Sequence, residues 1–214
     1  MKKIIIINYG SGNVYSVANA ISNIDKNINI KISKNIKEIR TADKIILPGQ
    51  GAISNCMKLL KKNDLHKEII DFAKKKPLLG ICVGEQMLFD WSEENNFTKC
   101  LGILSGGVIR FKFKKNLYQK NKLIFKIPHI GWNTVIQKKK HFLWKNIKQN
   151  SYFYFVHSYY VKANNNSDII GETFYGKKFI CAVVKNNIFG TQFHPEKSSF
   201  SGLQLYKNFI KWNP

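Results

Sequence analysis

Apolar residues are arranged differently in the two halves of the chain. In the first ninety residues, short apolar runs alternate with stretches of helical periodicity. Lys3–Ile7 reads as a strand that ends in Asn8-Tyr9-Gly10-Ser11-Gly12-Asn13. Val14, Val17, Ala18 and Ile21 then recur at helical spacing. Ile28–Ser33 and Lys44–Leu47 predict a second and a third strand, the latter closed by Pro48-Gly49-Gln50-Gly51. Residues 53–62 and 65–75 predict helices, stopped by Pro77. Leu78–Ile81 predicts a fourth strand and Gly84–Trp91 a helix. Short strands alternating with helices imply right-handed βαβ units on a parallel sheet.

The second half reads as strands separated by turn residues such as Tyr175-Gly176 and Asn186-Asn187. These strands are Val108–Phe113, Trp132–Ile136, Tyr152–Val156, Ile169–Phe174, Phe179–Val184 and Ile188–Gln192, and Leu203–Trp212 predicts a closing helix. They are expected as antiparallel additions to the parallel sheet. Residues 114–126 and 138–150 are rich in lysine and are expected to be the least regular. With no repeat and no long linker, residues 1–214 are expected to form one α/β domain: an open mixed sheet, its parallel core flanked by helices.

Composition narrows the function classes. Hydrophobic residues make up 44% and aromatics 13% of the 214 residues, enough for a packed core. The formal net charge is +22, which raises the question of a polyanionic partner. Arginine is nearly absent, however, with only Arg40 and Arg110 among 35 basic residues. Nucleic-acid sites favour arginine for bidentate contacts. The lysines are scattered and come with abundant Ile and Asn, so the charge reads as compositional bias, with a basic binding protein as the competing reading. No apolar run approaches the ~18 residues of a membrane span. Met1-Lys2-Lys3 and the isoleucines after it stop short of a signal peptide at Asn8, so the chain is expected in the cytoplasm. Cys56, Cys82, Cys100 and Cys181 lack the spacing of a disulfide framework or a zinc site, and no metal or cofactor is expected.

Cys82 stands apart from the other three cysteines. Gly80-Ile81-Cys82-Val83-Gly84 joins a predicted buried strand to a predicted helix, the setting of a nucleophile elbow. The flanking glycines remove the Cβ atoms that would clash in so sharp a turn. The middle residue is then expected to stand exposed at the tip of the sheet, against a helix N-terminus that favours a thiolate. A cysteine nucleophile needs a base, and the base needs an orienting group. Phe193-His194-Pro195-Glu196 follows a predicted strand, and Pro195 biases His194 towards extended geometry. Residues i and i+2 of an extended chain share a side, so Glu196 is expected to hold His194. His66, His129, His141 and His157 have no such partner nearby in sequence and read as structural or surface residues. The glycines of Pro48–Gly51, at the end of another parallel strand, would let backbone amides approach an oxyanion.

Together these stretches resemble class I (triad) glutamine amidotransferases. The order N-Y-G-S-G-N (8–13), P-G-Q-G (48–51), G-I-C-V-G-E-Q (80–86), P-H-I-G-W-N (128–133), Y-F-V-H-S-Y (154–159) and Q-F-H-P-E-K-S (192–198) is similar to the glutaminase subunits of imidazole glycerol phosphate synthases over nearly the whole chain. The P-H-I-G-W-N element is the discriminating piece. The resemblance implies a catalytic triad of Cys82, His194 and Glu196 that hydrolyses L-glutamine through a glutamyl thioester. It implies an oxyanion hole from Val83 and the Gly49–Gln50 peptide, and glutamine contacts from Gln86, His157, Ser158 and Tyr159. Asn13, Trp132, Tyr154 and Lys197 would face a (βα)8-barrel cyclase subunit that receives the ammonia in histidine biosynthesis. The family more often carries Val at position 50, where this chain has Gln50. A paralogous synthase partner is the alternative within the same chemistry.

Overall fold

The computed structural model describes residues 2–24, 28–113, 118–119, 122–123 and 125–214. The chain begins β1 (Lys3–Ile7), α1 (Val14–Ser22), β2 (Asn29–Ser33), α2 (Ile36–Arg40), β3 (Lys44–Gly49), α3 (Ile53–Lys62), α4 (Leu65–Ala73), β4 (Leu78–Cys82) and α5 (Val83–Gln86). Strands β1, β3 and β4 form near-continuous apolar runs, and Ile4–Ile7, Ile45–Leu47 and Leu78–Leu79 are fully buried. Such runs are expected where a parallel sheet is covered on both faces. The sheet order begins β2-β1-β3-β4, all parallel. The chain steps outward from β1 to β2 and then back across to β3 and β4. Right-handed crossovers therefore put α1 on one face and α2–α4 on the other. In keeping with this, α1 packs on α6 (Ser199–Lys211), while α2 and α3 pack on α4.

Short strands β5 (Trp91–Ser92), β6 (Thr98–Lys99) and β7 (Gly106–Arg110) follow, then the pair β8 (Tyr118–Gln119) and β9 (Lys122–Leu123). After them come β10 (His129–Thr134), β11 (Ile136–Gln137), β12 (Tyr152–His157), β13 (Tyr159–Ala163), β14 (Ile169–Phe174), β15 (Lys178–Lys185) and β16 (Ile188–Thr191). Beyond β4 the sheet continues β16-β15-β13-β7-β5-β6, with β14 off β15 and β11 off β14. The antiparallel additions are present, with two parallel joins, β5 with β7 and, of more consequence for the site, β16 with β4. Strand β16 is antiparallel to β15 but parallel to β4, with Thr191 beside Ile81. The β10–β12 ribbon stands apart as its own antiparallel pair.

Two points differ from expectation. The helix predicted over Gly84–Trp91 is a single turn, Val83–Gln86. Beyond it the carbonyls of Met87, Leu88 and Phe89 accept from the N–H groups of Leu101–Leu104, so a loop 13–16 residues downstream in sequence takes the bonds that would have extended the helix. Residues 138–150 carry no strand or α-helix, as expected, but they are packed: a 3₁₀ turn at Phe142–Trp144 is capped by His141, and Leu143, Trp144 and Ile147 are buried. The strand expected over Tyr152–Val156 is β12, and a strand not expected, β13, follows it directly after Ser158. Of the lysine-rich stretch 114–126, residues 114–117, 120–121 and 124 lie outside the described residues.

Candidate active site

Cys82 ends β4 with φ +55° and ψ −114°, a backbone conformation that L-residues rarely adopt. Close backbone approach on both sides maintains it. A Cβ on Gly84 would lie 1.9 Å from the Leu47 carbonyl oxygen, and one on Gly49 would lie 2.5 Å from the Gly84 nitrogen. Gly49 also sits in register with Cys82 across the β3–β4 pair. The loop after β3 and the elbow after β4 are thus held against each other by two missing side chains. The Val83 N–H opens the turn, among the groups a helix leaves unpaired. With a single turn behind it, the dipole contribution is smaller than the sequence suggested. Cys82 is not exposed at the sheet tip either: only 4% of it is accessible, at the wall of a cavity.

Pairing of β16 with β4 carries the chain past Thr191 to the same end of the sheet, and His194 follows three residues later. His194 is extended, at φ −99° and ψ 100°, but Pro195–Lys197 then form a 3₁₀ turn. The His194–Glu196 contact is therefore made across a turn rather than along an extended strand. His194 Nδ1 lies 2.8 Å from Glu196 Oε1, and the other carboxylate oxygen accepts from the Tyr206 hydroxyl at 3.1 Å. The Ser198 hydroxyl donates to the His194 carbonyl at 2.6 Å, and the His194 N–H donates to Tyr154 O at 2.9 Å. With Nδ1 committed to Glu196, Nε2 has no hydrogen-bond partner. Burial alone would lower the His194 pKa; the negative charge of Cys82, then Glu196, outweigh it and raise the value to about 10. The neighbouring Glu85 is fully buried with neither carboxylate oxygen paired, and burial first, then Cys82, raises its pKa well above the ordinary range.

The cavity has a volume of about 290 Å³ and is lined by Asn13, Gln50, Gly51, Cys82, Val83, Gln86, Glu94, Pro128, Val156, His157, Ser158, Tyr159, His194, Glu196 and Lys197. This is near the lower end of ligand sites, which run from ~300 Å³ upward, and suits an amino acid. Gln86 Nε2 donates to the Tyr159 carbonyl at 3.0 Å and to Gln192 Oε1 at 2.9 Å, and Gln192 Nε2 lies 3.8 Å from Cys82 Sγ. Gly49 is withdrawn from the cavity wall, pressed against Val83 and Gly84. Asn13 caps α1 through its side chain, accepting from Ser16 N at 3.2 Å. Trp132 and Tyr154 lie outside the cavity, paired in register on the β10–β12 ribbon with rings 6.1 Å apart. Lys197 Nζ sits 5.6 Å from the Tyr154 ring centre.

These contacts decide the family when set beside known proteins. The class-I glutamine amidotransferase family model matches residues 5–212. The chain belongs to that family. An imidazole glycerol phosphate synthase subunit HisH of Hydrogenovibrio crunogenus is 47% identical over 213 residues, 99% of this chain and 97% of that one. The HisH subunit of Nitrosospira multiformis is 46% identical over the full length of both. The glutamine amidotransferase is thus of the HisH kind, and it is an enzyme rather than a basic binding protein. Among solved structures, PurLQS from Thermotoga maritima superposes with a TM-score of 0.70 at 16% identity, covering 99% of each chain. The glutaminase domain of Trypanosoma brucei CTPS gives 0.59 at 15%, covering 100% of this chain and 96% of that one. At these identities the structures speak for the fold alone.

Cys56, Cys100 and Cys181 are buried and outside the cavity wall, in line with their reading as structural cysteines. No helix among the described residues is long and apolar enough to cross a membrane. Sequence reasoning gave no role to Gln192, Ser198 or Tyr206. Gln192 stands two residues before His194, and the period of two along a strand was enough to find it. Tyr206 lies on α6, ten residues beyond Glu196, and only packing brings it back.

Proposed function

We propose that this chain is the ammonia-producing subunit of an imidazole glycerol phosphate synthase and that residues 1–214 work as one domain. Cys82 attacks the carboxamide carbon of L-glutamine, and the tetrahedral anion is held by the Val83 N–H and the Gly49–Gln50 peptide. His194 gives its proton to the departing ammonia, which leaves a glutamyl thioester on Cys82. His194 then takes a proton from water, which attacks the thioester and releases glutamate. Glu196 keeps the imidazole in the required tautomer and stabilises its charged form. Gln86 and the backbone of His157–Tyr159 hold the substrate. The observation that carries this reading is the convergence of Cys82 from β4 and His194–Glu196 from beyond β16 on one amino-acid-sized cavity.

The partner is a (βα)8-barrel cyclase that docks over the outer face of the β10–β12 ribbon. That face supports the reading because it exposes Ile130 at 59% and Trp132 at 52%, with Tyr154 beside Trp132 and Lys197 reaching from the cavity wall to the Tyr154 ring. Four unpaired thiols suit a reducing cytoplasm. Cys82→Ala should abolish glutamine-dependent synthesis by the complex and leave ammonia-dependent synthesis intact. Glutamine use that survives the substitution overturns the assignment of the nucleophile. Adding the barrel subunit and its nucleotide substrate should accelerate glutamine hydrolysis; equal rates with and without them overturn the coupling.

A further inference from the structure

The P-H-I-G-W-N segment does more than present an outer face. On its inner face, a chain of hydrogen bonds runs from strand β10 to the glutamine cavity, and each link has only one possible direction. The Tyr159 carbonyl can only accept, so His157 Nδ1, 2.8 Å away, carries the proton. Burial lowers the His157 pKa to about 3 and that of His129 to about 4, so both rings are neutral. His157 Nε2 is then a lone pair, and it accepts from His129 Nδ1 at 3.0 Å. His129 Nε2 in turn faces the Asn133 amide nitrogen at 3.5 Å. That amide cannot be flipped: its oxygen accepts from Thr134 N at 2.8 Å and its nitrogen donates to Phe174 O at 2.9 Å. Tyr159 O also receives the Gln86 amide at 3.0 Å, whose second N–H goes to Gln192. Gln86 therefore has only its Oε1 left to offer the cavity.

We infer that His129 and His157 are positioning residues, a fixed-tautomer relay from β10 that sets the Tyr159 carbonyl and the Gln86 amide for glutamine. The inference rests on the glutaminase reading, and a pair of thiol reagents separates the two. 6-Diazo-5-oxo-L-norleucine is glutamine-shaped and needs the cavity; iodoacetamide needs only the thiol. Both are applied to the full chain and labelling of Cys82 is followed by mass. Removing the donor with His129→Leu should slow labelling by the glutamine analogue about tenfold, on the order of one lost buried hydrogen bond. Iodoacetamide should react within about twofold of its rate on the unsubstituted chain, a difference too small to count as a lost hydrogen bond. In His129→Asn the side-chain NH₂ stands near the place of Nδ1 and should restore most of the analogue's rate. Equal slowing of both reagents, no slowing of either, or an Asn variant as slow as the Leu variant overturns the relay. An unsubstituted chain that the analogue does not label overturns the glutaminase reading instead. Nitrogen NMR of the unsubstituted chain at pH 7 is independent of folding defects in variants. Both rings should appear as neutral Nδ1–H tautomers, and an Nε2–H tautomer or a charged ring at either position overturns the relay.

Discussion

Gly84→Ala tests whether backbone contact between two loops holds Cys82 in its strained geometry. The new Cβ would stand 1.9 Å from the Leu47 carbonyl oxygen and 2.9 Å from its carbonyl carbon. Moving that oxygen out to about 3.0–3.4 Å opens the gap by roughly 1.1–1.5 Å, since closer heavy atoms repel steeply. No side chain can rotate to make the space, because backbone lies on both sides and Gly49 already closes the same gap. Overpacking a core costs about 1–3 kcal/mol, and a backbone clash lies at the upper end. At 2–4 °C per kcal/mol for a chain of this size, about 3 kcal/mol is roughly 6–12 °C in Tm. A displacement near 1 Å between the oxyanion loop and the nucleophile costs on the order of 10²-fold in turnover. Calorimetry and glutamine hydrolysis with the partner, on one preparation, measure both effects. A variant that melts within about 2 °C of the unsubstituted protein and turns over glutamine at the same rate refutes the packing argument. A lowered Tm with full activity refutes only the link from packing to chemistry.

Glu196→Gln removes the charge that holds the His194 imidazolium and should cut turnover by about 10²–10⁴-fold, with folding retained by circular dichroism; a loss under about tenfold counts against the triad role. Tyr206→Phe strips one buried oxygen of Glu196 of its donor, so turnover should fall several-fold while KM for glutamine holds; an effect on KM alone contradicts this. His194 has a folded pKa of about 10 against an ordinary 6.5, so its stabilisation is complete below about 6.5 and is lost as pH rises through 10. The urea midpoint should therefore drop more steeply between pH 7 and 10.5 in the unsubstituted protein than in Cys82→Ala, which lacks the main charge raising that pKa; parallel curves contradict it. Glu85 has the opposite consequence at neutral pH. Its raised pKa means that its neutral form is favoured on folding, a cost that grows as pH rises above the ordinary carboxyl range. Glu85→Gln should be the more stable protein at pH 7, with the difference shrinking towards pH 4; equal stability at both pH values would sink this account.

Much of the molecule was legible before its structure, because the signals were local. Apolar runs such as Ile4–Ile7 and Leu78–Ile81 are dictated by burial on both faces of a sheet, and the glycines around Cys82 by a turn that admits no Cβ. From these the parallel core and the elbow could be read, and from the ordered motifs that include H-P-E and P-H-I-G-W-N the family. Only the tertiary structure decided what depends on distant segments meeting. Strand β16 pairs with β4 from some 110 residues away, and that pairing alone brings His194 to Cys82. The loop at 101–104 halts the helix after the elbow, Tyr206 returns from α6 to Glu196, and His129 finds His157 across a ribbon. None of these leaves a periodic trace, because a hydrogen bond or a strand pairing between remote residues puts no constraint on the residues next to them in sequence. The sequence by itself thus determined which chemical groups the protein would use. Their distances, tautomers and protonation states were decided by packing.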